Sequence, residues 1–334
     1  MLRSKVFALD LNFLKNIEMS SSQDFCKSLG IDYPIIMAPM FLVSNTKMIV
    51  AALESGITAA FPALNYRTDE EFRNAIAEIR SKTTKPFGVN LIVNKSNFKL
   101  DAQLKTCLDL KVNFIITSLG SPQEVIKSCK PLGIKVYCDV VDLKYAQKVE
   151  ELGADGLIAV NSNAGGHAGD TTPEVLIPLL KKHCKIPVIS AGGVATHEEY
   201  KRMLALGADA LSIGTVFIAT EECGVSQDYK NALIQYGAKD IIKTTKLSGS
   251  ALTVINTPYV QSIGSEATWL EKLMKKSKTL KKYIKLFIAL RGMRKIEKAA
   301  FGATYQTFWC AGPSIEHVHK IRPIKEIVKE IVGN

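Results

Sequence analysis

The sequence predicts an α/β fold, a (β/α)₈ barrel, from three observations. Eight short apolar runs alternate with helical patterns at intervals of about twenty to thirty residues, which is typical of βα units in a parallel sheet. The phrase Leu-Gly-Ala-Asp occurs twice, beginning at Leu152 and at Leu206, and its glycine suits the left-handed end of a helix before the next strand. Glycine-rich loops follow the last three runs, and no G-x-G-x-x-G follows any run. A doubly wound open sheet is therefore the less favoured alternative.

The predicted strands follow one another along the first two thirds of the chain. In order they are Pro34–Ala38, Ile57–Phe61, Phe87–Leu91, Phe114–Thr117, Lys135–Cys138, Gly156–Val160, Pro187–Ser190 and Ala210–Ile213. Helix-start patterns follow most of them. We predict capping boxes at Thr68–Glu71 and Ser121–Glu124, and N-caps at Thr172–Pro173 and Thr196–Glu199. Each strand is thus expected to lead into a helix.

Length and composition fit a barrel with an appended segment. A chain of 334 residues with 47% hydrophobic residues can bury one large core or two ordinary ones. The seven cysteines are scattered without a C-x-x-C pair, so we expect reduced thiols in a cytoplasmic protein and no metal site. The first residues lack the pattern of a secretory signal, and no apolar run is long enough to span a bilayer.

The net charge of +11 is concentrated in one segment. Between Lys272 and Lys298 there are eleven Lys or Arg and one Glu, so a nucleic-acid surface is not predicted for the rest of the chain. Apolar residues in the segment recur at three-, four- and seven-residue intervals, which predicts an amphipathic helix on the main body with its lysines outward. A solvated face, an acidic carrier protein, a phosphorylated substrate and an anionic membrane all remain as interpretations of this basic face.

The glycine loops after the sixth, seventh and eighth predicted strands carry the candidate chemistry. They are Gly165-Gly-His-Ala-Gly169, Ala191-Gly-Gly193 and Gly214-Thr215. In barrels of this kind the last two loops bring backbone N–H groups together around a phosphate without any lysine. His167 lies in the first loop, and an imidazole is well suited to moving a proton near neutral pH.

Several of these motifs together resemble one family. They are Met37-Ala-Pro-Met40, Phe87-Gly-Val-Asn90, Ala164-Gly-Gly-His-Ala-Gly169, Pro187-Val-Ile-Ser-Ala-Gly-Gly193, Leu206-Gly-Ala-Asp-Ala210 and Ile213-Gly-Thr215. The pattern resembles the nitronate monooxygenases, formerly called 2-nitropropane dioxygenases, which are related to flavin-dependent enoyl-[acyl-carrier-protein] reductases. The resemblance covers about residues 30 to 260, and Trp309-Cys-Ala-Gly-Pro-Ser314 resembles the closing segment of the family.

The resemblance implies a domain layout and a site. An FMN-binding barrel would comprise residues 25–240, a helical and strongly basic lid residues 241–305, and a segment returning to the barrel residues 306–334. His167 would be the catalytic acid/base above the flavin. The cofactor-binding set would be Ala38, Pro39, Met40 and Asn90 near the ring, and Gly165, Gly166, Ala191, Gly192, Gly193, Gly214 and Thr215 in the glycine loops, with the phosphate on the last four.

Two positions differ from the family pattern. Val160 stands where the family carries Gln or Glu, and Asn163 stands where it carries Glu. Without a nearby carboxylate, His167 is expected to be a weaker base than in typical members.

Four functions remain open at the level of sequence. Oxidation of alkyl nitronates with O₂ ranks first. Reduction of an enoyl thioester on an acyl carrier protein or coenzyme A with NAD(P)H is the alternative, and flavin or carrier binding without turnover is the second alternative. An enzyme of the inosine-monophosphate-dehydrogenase kind is disfavoured, because no cysteine lies in a glycine-rich loop. A homodimer is also left open.

Overall fold

The computed structural model describes residues 21–244, 251–263 and 308–334. Within them, eight parallel strands close a barrel in the order β1 to β8, with β8 pairing back onto β1. The strands are β1 Ile35–Met37, β2 Thr58–Pro62, β3 Gly88–Ile92, β4 Phe114–Ser118, β5 Lys135–Val140, β6 Gly156–Val160, β7 Val188–Ala191 and β8 Ala210–Ile213. The predicted (β/α)₈ barrel is confirmed, and each strand ends within two residues of its predicted bounds. The predicted basic helix and most of the predicted lid lie outside the described residues.

Helices follow the strands on the outside of the barrel. They are α1 Thr46–Glu54, α2 Asp69–Lys82, α3 Leu100–Asp109, α4 Gln123–Cys129, α5 Leu143–Glu151, α6 Pro173–His183, α7 His197–Ala205, α8 Gln227–Gln235, α9 Pro258–Ile263 and α10 Ile324–Val332. An antiparallel hairpin of β9 Ile241–Thr244 and β10 Leu252–Ile255 follows α8. The C-terminal helix α10 packs against α1 and α7. No helix within these residues is long and apolar enough to cross a membrane.

The predicted helix starts are confirmed in three of four places. Thr68 and Thr196 form capping boxes with Glu71 and Glu199, and Thr172 occupies the N-cap of α6, although its side chain makes no capping bond. The predicted box at Ser121 and Glu124 is wrong. Helix α4 begins after Pro122, whose carbonyl accepts the first helical bond from Ile126 at 2.9 Å, so Ser121 lies one residue too early to cap the helix.

The repeated Leu-Gly-Ala-Asp phrase has a structural role at the N-terminal end of the barrel. Its glycines, Gly153 and Gly207, have φ of 91° and 99°, in the left-handed region that glycine adopts without strain. The aspartate that follows accepts a bond from the strand before it. An Asp155 oxygen accepts from the Val136 amide at 2.8 Å, and an Asp209 oxygen accepts from the Val188 amide at 2.7 Å.

The barrel interior is apolar at its N-terminal end. Residues 21–29 are helical, and Phe25 packs there against Tyr137 with ring centroids 6.0 Å apart. The remaining interior cluster is Leu29, Ile36, Ala60, Phe114, Ile116, Ile158, Ile189, Ala191 and Ala210. Because this end is filled, the opposite end, where the strands finish, is the end that remains for a site.

Candidate active site

The three glycine loops touch one another at the C-terminal ends of the strands. A Cβ added to Gly192 would lie 2.4 Å from the Ala164 nitrogen, and one added to Gly165 would lie 2.9 Å from the Gly312 nitrogen. Real Cβ atoms do not approach backbone this closely, so only glycine fits at these two positions. The loop after β6 is therefore packed between the loop after β7 and the closing segment of the chain.

Four backbone N–H groups in these loops are free to bind a ligand. The amides of Gly192, Gly193, Gly214 and Thr215 donate to no acceptor in the described part of the chain. Gly192 and Gly193 have φ of 112° and 78°, a conformation that glycine tolerates. Free N–H groups on positive-φ backbone, as at Gly192 and Gly193, can form an anion-binding nest. The predicted phosphate-binding residues thus provide a donor set of the right chemistry.

A hydrogen-bonded chain of polar side chains lines the mouth of the barrel. The Asn90 amide nitrogen donates to the Ile116 carbonyl at 3.1 Å and to the Ser118 hydroxyl at 2.8 Å. Ser118 in turn donates to an Asp139 oxygen at 2.5 Å. Since both hydrogens of the Asn90 amide are used, its Oδ1 is left as an acceptor. No buried side-chain N or O in the described residues lacks a partner, so this unbonded oxygen is accessible from the mouth.

Sequence reasoning found Asn90 but missed Ser118 and Asp139. Both lie at the ends of strands, which was the available signal. Desolvation raises the pKa of Asp139 to about 6, and the hydrogen bond from Ser118 offsets part of this rise. No ion pair to Asp139 occurs among the residues in the structure's described ranges.

His167 lies on a loop that the β9–β10 hairpin holds in place. The Thr253 amide donates to the Gly166 carbonyl at 2.8 Å, and the Thr253 hydroxyl donates to the Ala164 carbonyl at 2.9 Å. On the far side of the histidine, Lys243 pairs with Asp170 at 2.7 Å. The loop is thus fixed on both sides of His167.

The imidazole of His167 has no bonded partner of its own within residues 21–244, 251–263 and 308–334. The residue is exposed to solvent, and neighbouring atoms desolvate the ring enough to lower its pKa. The direction matches the sequence prediction of a weaker base, although desolvation is the cause here. The shift favours the neutral form of the ring, which has no partner among the described residues.

The segment after β1 lies beside the Gly214 loop. A Cβ added to Gly214 would lie 3.6 Å from both the Ala38 Cβ and the Met40 sulfur. The Ala38 amide donates to the Ile213 carbonyl at 2.8 Å, and the Met40 amide donates to the Ser44 hydroxyl at 2.9 Å. Because Pro39 has no N–H, this segment presents carbonyl and side-chain groups rather than N–H donors to a ligand.

The two positions that depart from the family pattern have different environments. Val160 packs against the interior cluster together with Ala191, so an apolar group faces the mouth there. Asn163 lies against the loop after β7, since a Cβ on Gly193 would be 3.1 Å from its amide nitrogen. Asn161, which sequence reasoning did not select, is fully buried and joins the two loops. It donates to the Gly192 carbonyl at 3.1 Å and accepts from the Asn163 amide at 2.8 Å.

Comparisons with known proteins agree with the fold and identify a family. The family model described as nitronate monooxygenase matches residues 23–334. A nitronate monooxygenase of Paraburkholderia phytofirmans is 30% identical over 267 residues, covering 66% of this chain and 73% of that protein. A Rhodococcus jostii protein named (3aS,4S,5R,7aS)-5-hydroxy-7a-methyl-1-oxo-octahydro-1H-indene-4-carboxyl-CoA dehydrogenase is 29% identical over 237 residues, covering 70% of this chain and 66% of that protein.

A solved structure is similar over most of the chain. FabK from Thermotoga maritima is 28% identical and superposes with a TM-score of 0.81, covering 93% of this chain and 94% of that one. Since the family model spans nearly all of the sequence, the chain belongs to the nitronate monooxygenase family and is an oxidoreductase of that type.

Proposed function

We propose that this protein is an FMN-dependent enzyme that oxidises alkyl nitronates with O₂. One observation carries the proposal. In the described part of the chain, four backbone N–H groups without an acceptor, at Gly192, Gly193, Gly214 and Thr215, lie at the same barrel mouth as His167, whose ring has no partner there. The backbone N–H groups suit a phosphate, and the imidazole of His167 suits proton transfer.

The residues present fit FMN. The phosphate dianion of FMN needs several donors, and the four free N–H groups supply them without a cation. The Thr215 hydroxyl oxygen accepts from the Gly312 amide at 3.0 Å, so its own hydrogen remains available to the same phosphate. The Asn90 Oδ1 can accept from a ring N–H, because its amide hydrogens are already used. When bound, FMN would supply the redox chemistry of the reaction, with O₂ as the final electron acceptor.

His167 is the proposed acid/base. Its lowered pKa keeps the ring neutral at pH 7, so a ring nitrogen can accept the proton of the acidic carbon of a nitroalkane or hold a nitronate by a hydrogen bond. The hydrogen bond from Thr253 to Ala164 and the ion pair between Lys243 and Asp170 hold the loop on both sides of the ring. Fixing the loop lowers the entropy cost of placing the base against substrate.

A second candidate is reduction of an enoyl thioester, carried on coenzyme A or an acyl carrier protein, with NAD(P)H. The relative named as a carboxyl-CoA dehydrogenase favours it, as does the apolar Val160 where a polar group would otherwise face the mouth. The basic segment between Lys272 and Lys298 would suit an anionic carrier.

An anaerobic titration separates the two candidates. The purified protein, reconstituted with FMN, is titrated first with propyl nitronate and then, in a fresh sample, with NADPH or NADH. We expect the flavin spectrum to bleach with the nitronate and not with the nucleotide. Bleaching by the nucleotide alone would establish the reductase instead, and failure to bind FMN would refute both.

The role of His167 is tested with a matched pair of variants. His167→Ala should keep FMN and lose nitronate turnover by about 10²- to 10⁴-fold, the usual contribution of a general acid or base. His183→Ala removes an exposed histidine from the last turn of α6 and should behave as wild type. Equal activity in the two variants would remove His167 from the mechanism.

A further inference from the structure

Asp139 is a carboxyl group at the barrel mouth to which the proposed mechanism assigns no role. Its register partner on β6 is Ile158, whose side chain belongs to the interior cluster. Residues paired across parallel strands point to the same side of the sheet, so Asp139 also faces the interior. It lies two residues beyond Tyr137 toward the C-terminal end of β5, which is the end where the candidate site lies.

The direction of every hydrogen bond leading to Asp139 is fixed. The Ile116 carbonyl can only accept, so the Asn90 amide nitrogen must be the group that faces it and Ser118. Ser118 accepts from Asn90 and therefore uses its own hydrogen toward the Asp139 Oδ2. The other oxygen, Oδ1, has no partner in the described chain and is the atom where a proton can reside.

The described elements around Asp139, within residues 21–244, 251–263 and 308–334, bring no compensating positive charge. Strand β4 contributes Ser118 and Thr117, and β6 contributes Ile158, none of which is charged. Cys138 on the same strand and Tyr145 on α5 are the titratable groups that interact with it, and burial raises the pKa of both. Both are therefore neutral at pH 7. An ionised Asp139 would thus be an unpaired charge at the mouth.

We propose that Asp139 is a positioning residue that accepts FMN in its protonated form, so that binding of the cofactor takes up one proton. The proposal rests on the FMN site proposed above. Any planar ring that covers the mouth removes the water that Asp139 still contacts, and a carboxylate without a cation loses more from this than a neutral acid does. The neutral acid also has an Oδ1 hydrogen to donate to a ring acceptor.

The expected change of FMN affinity with pH follows from the pKa of Asp139, which burial raises to about 6. The protonated fraction then falls from about nine tenths at pH 5 to about one tenth at pH 7, so the apparent FMN dissociation constant rises about tenfold. The phosphate of FMN ionises in the same range and works in the opposite direction. Asp139→Asn retains the phosphate effect and removes the carboxyl, so the ratio of wild type to variant isolates Asp139.

The test is FMN fluorescence quenching by the apoprotein from pH 5 to pH 8. We expect the ratio of dissociation constants, wild type over Asp139→Asn, to rise about tenfold between pH 5 and pH 7. Asp24→Asn, which removes an exposed carboxylate, should give a ratio that does not change with pH. Urea unfolding of each apoprotein establishes that the variants are folded.

Ser118→Ala provides a second and independent test. The Ser118 bond favours the ionised form of Asp139, so its loss should move the midpoint of the pH dependence to higher pH, whatever it does to absolute affinity. A ratio that stays flat or falls with pH, or an unmoved midpoint in Ser118→Ala, overturns the inference while FMN binding itself persists. No FMN binding at any pH would instead refute the proposed cofactor.

Discussion

Gly192→Ala provides the sharpest test of the loop packing. The residue has φ of 112°, and a Cβ there would lie 2.4 Å from the Ala164 nitrogen and 2.7 Å from the Asn163 carbonyl carbon. The closest approach is about 1 Å short of ordinary van der Waals contact. Both neighbours are backbone atoms of a loop that Thr253 holds, so no side-chain rotation can relieve the clash.

The expected loss of stability in Gly192→Ala has two parts. Left-handed backbone costs a non-glycine residue about 1–2 kcal/mol, and overpacking of a tight contact costs about 1–3 kcal/mol. We expect Gly192→Ala to lower the free energy of unfolding by about 2–5 kcal/mol. The matched control is Gly133→Ala, with φ of 66° and no atom within 4 Å of an added Cβ. This variant has only the cost of placing alanine at a positive φ. The lower conformational entropy of its unfolded chain offsets about 0.4–1 kcal/mol of that cost.

Urea unfolding of both variants, together with FMN titration, measures the two effects. Gly192→Ala should also weaken FMN binding by at least about tenfold, since a hydrogen bond to a charged group contributes about 1.5–3 kcal/mol. Gly133→Ala, in the loop before β5, should bind FMN as wild type does. If Gly192→Ala matched Gly133→Ala in stability and in FMN affinity, the close approach of the loops would be refuted.

Three further predictions follow from the site. Thr253→Val should lose the hydrogen bond to the Ala164 carbonyl. This should lower the free energy of unfolding in urea by about 0.5–1.5 kcal/mol and lower kcat several-fold. The control Thr220→Val loses a similar buried hydrogen bond and should lower the free energy of unfolding without changing kcat. At saturating FMN, kcat/KM should be lost as pH falls through the lowered pKa of His167, so an acid limb centred above pH 6.5 would exclude this residue as the base. In the apoprotein, burial raises the pKa of Asp139 to about 6, above the ordinary value of 3.8. Wild type should therefore lose stability relative to Asp139→Asn as pH rises from 4 to 7, by at most about 3 kcal/mol, and an opposite trend would contradict the assigned pKa.

Most of the barrel could be predicted because its signals are local. Apolar runs, capping boxes and left-handed glycines each depend on a few neighbouring residues, and the boundaries of the strands followed from them. The predicted cap at Ser121 is wrong by one residue. Either Ser121 or Pro122 could precede the helix, and the position of the first helical hydrogen bond selects Pro122. Helix boundaries shift readily by one or two residues, so local sequence alone does not decide between the two.

The site could be predicted only where one loop carries the whole signal. His167 and the glycine loops stand in short motifs, and Asn90 ends a strand. Ser118, Asp139 and Thr253 were missed because their partners lie 21 to 89 residues away. Which of these side chains meet is decided by strand register and by the placement of the hairpin. Asp139 in particular looks like an ordinary strand-end carboxylate until the barrel interior surrounds it.

The closing segment is part of this site and not an appendage to it. Gly312 donates to the Thr215 hydroxyl at 3.0 Å, and a Cβ on Gly312 would lie 2.7 Å from the Asn163 carbonyl. Gly165 faces the same contact from the other side, so a side chain on either glycine would separate the two segments. Because Thr215 also offers one of the four free amides, the folded end of the chain directly contacts the loops that we propose to bind the phosphate. Cofactor binding and docking of the C-terminal segment should therefore stabilise each other.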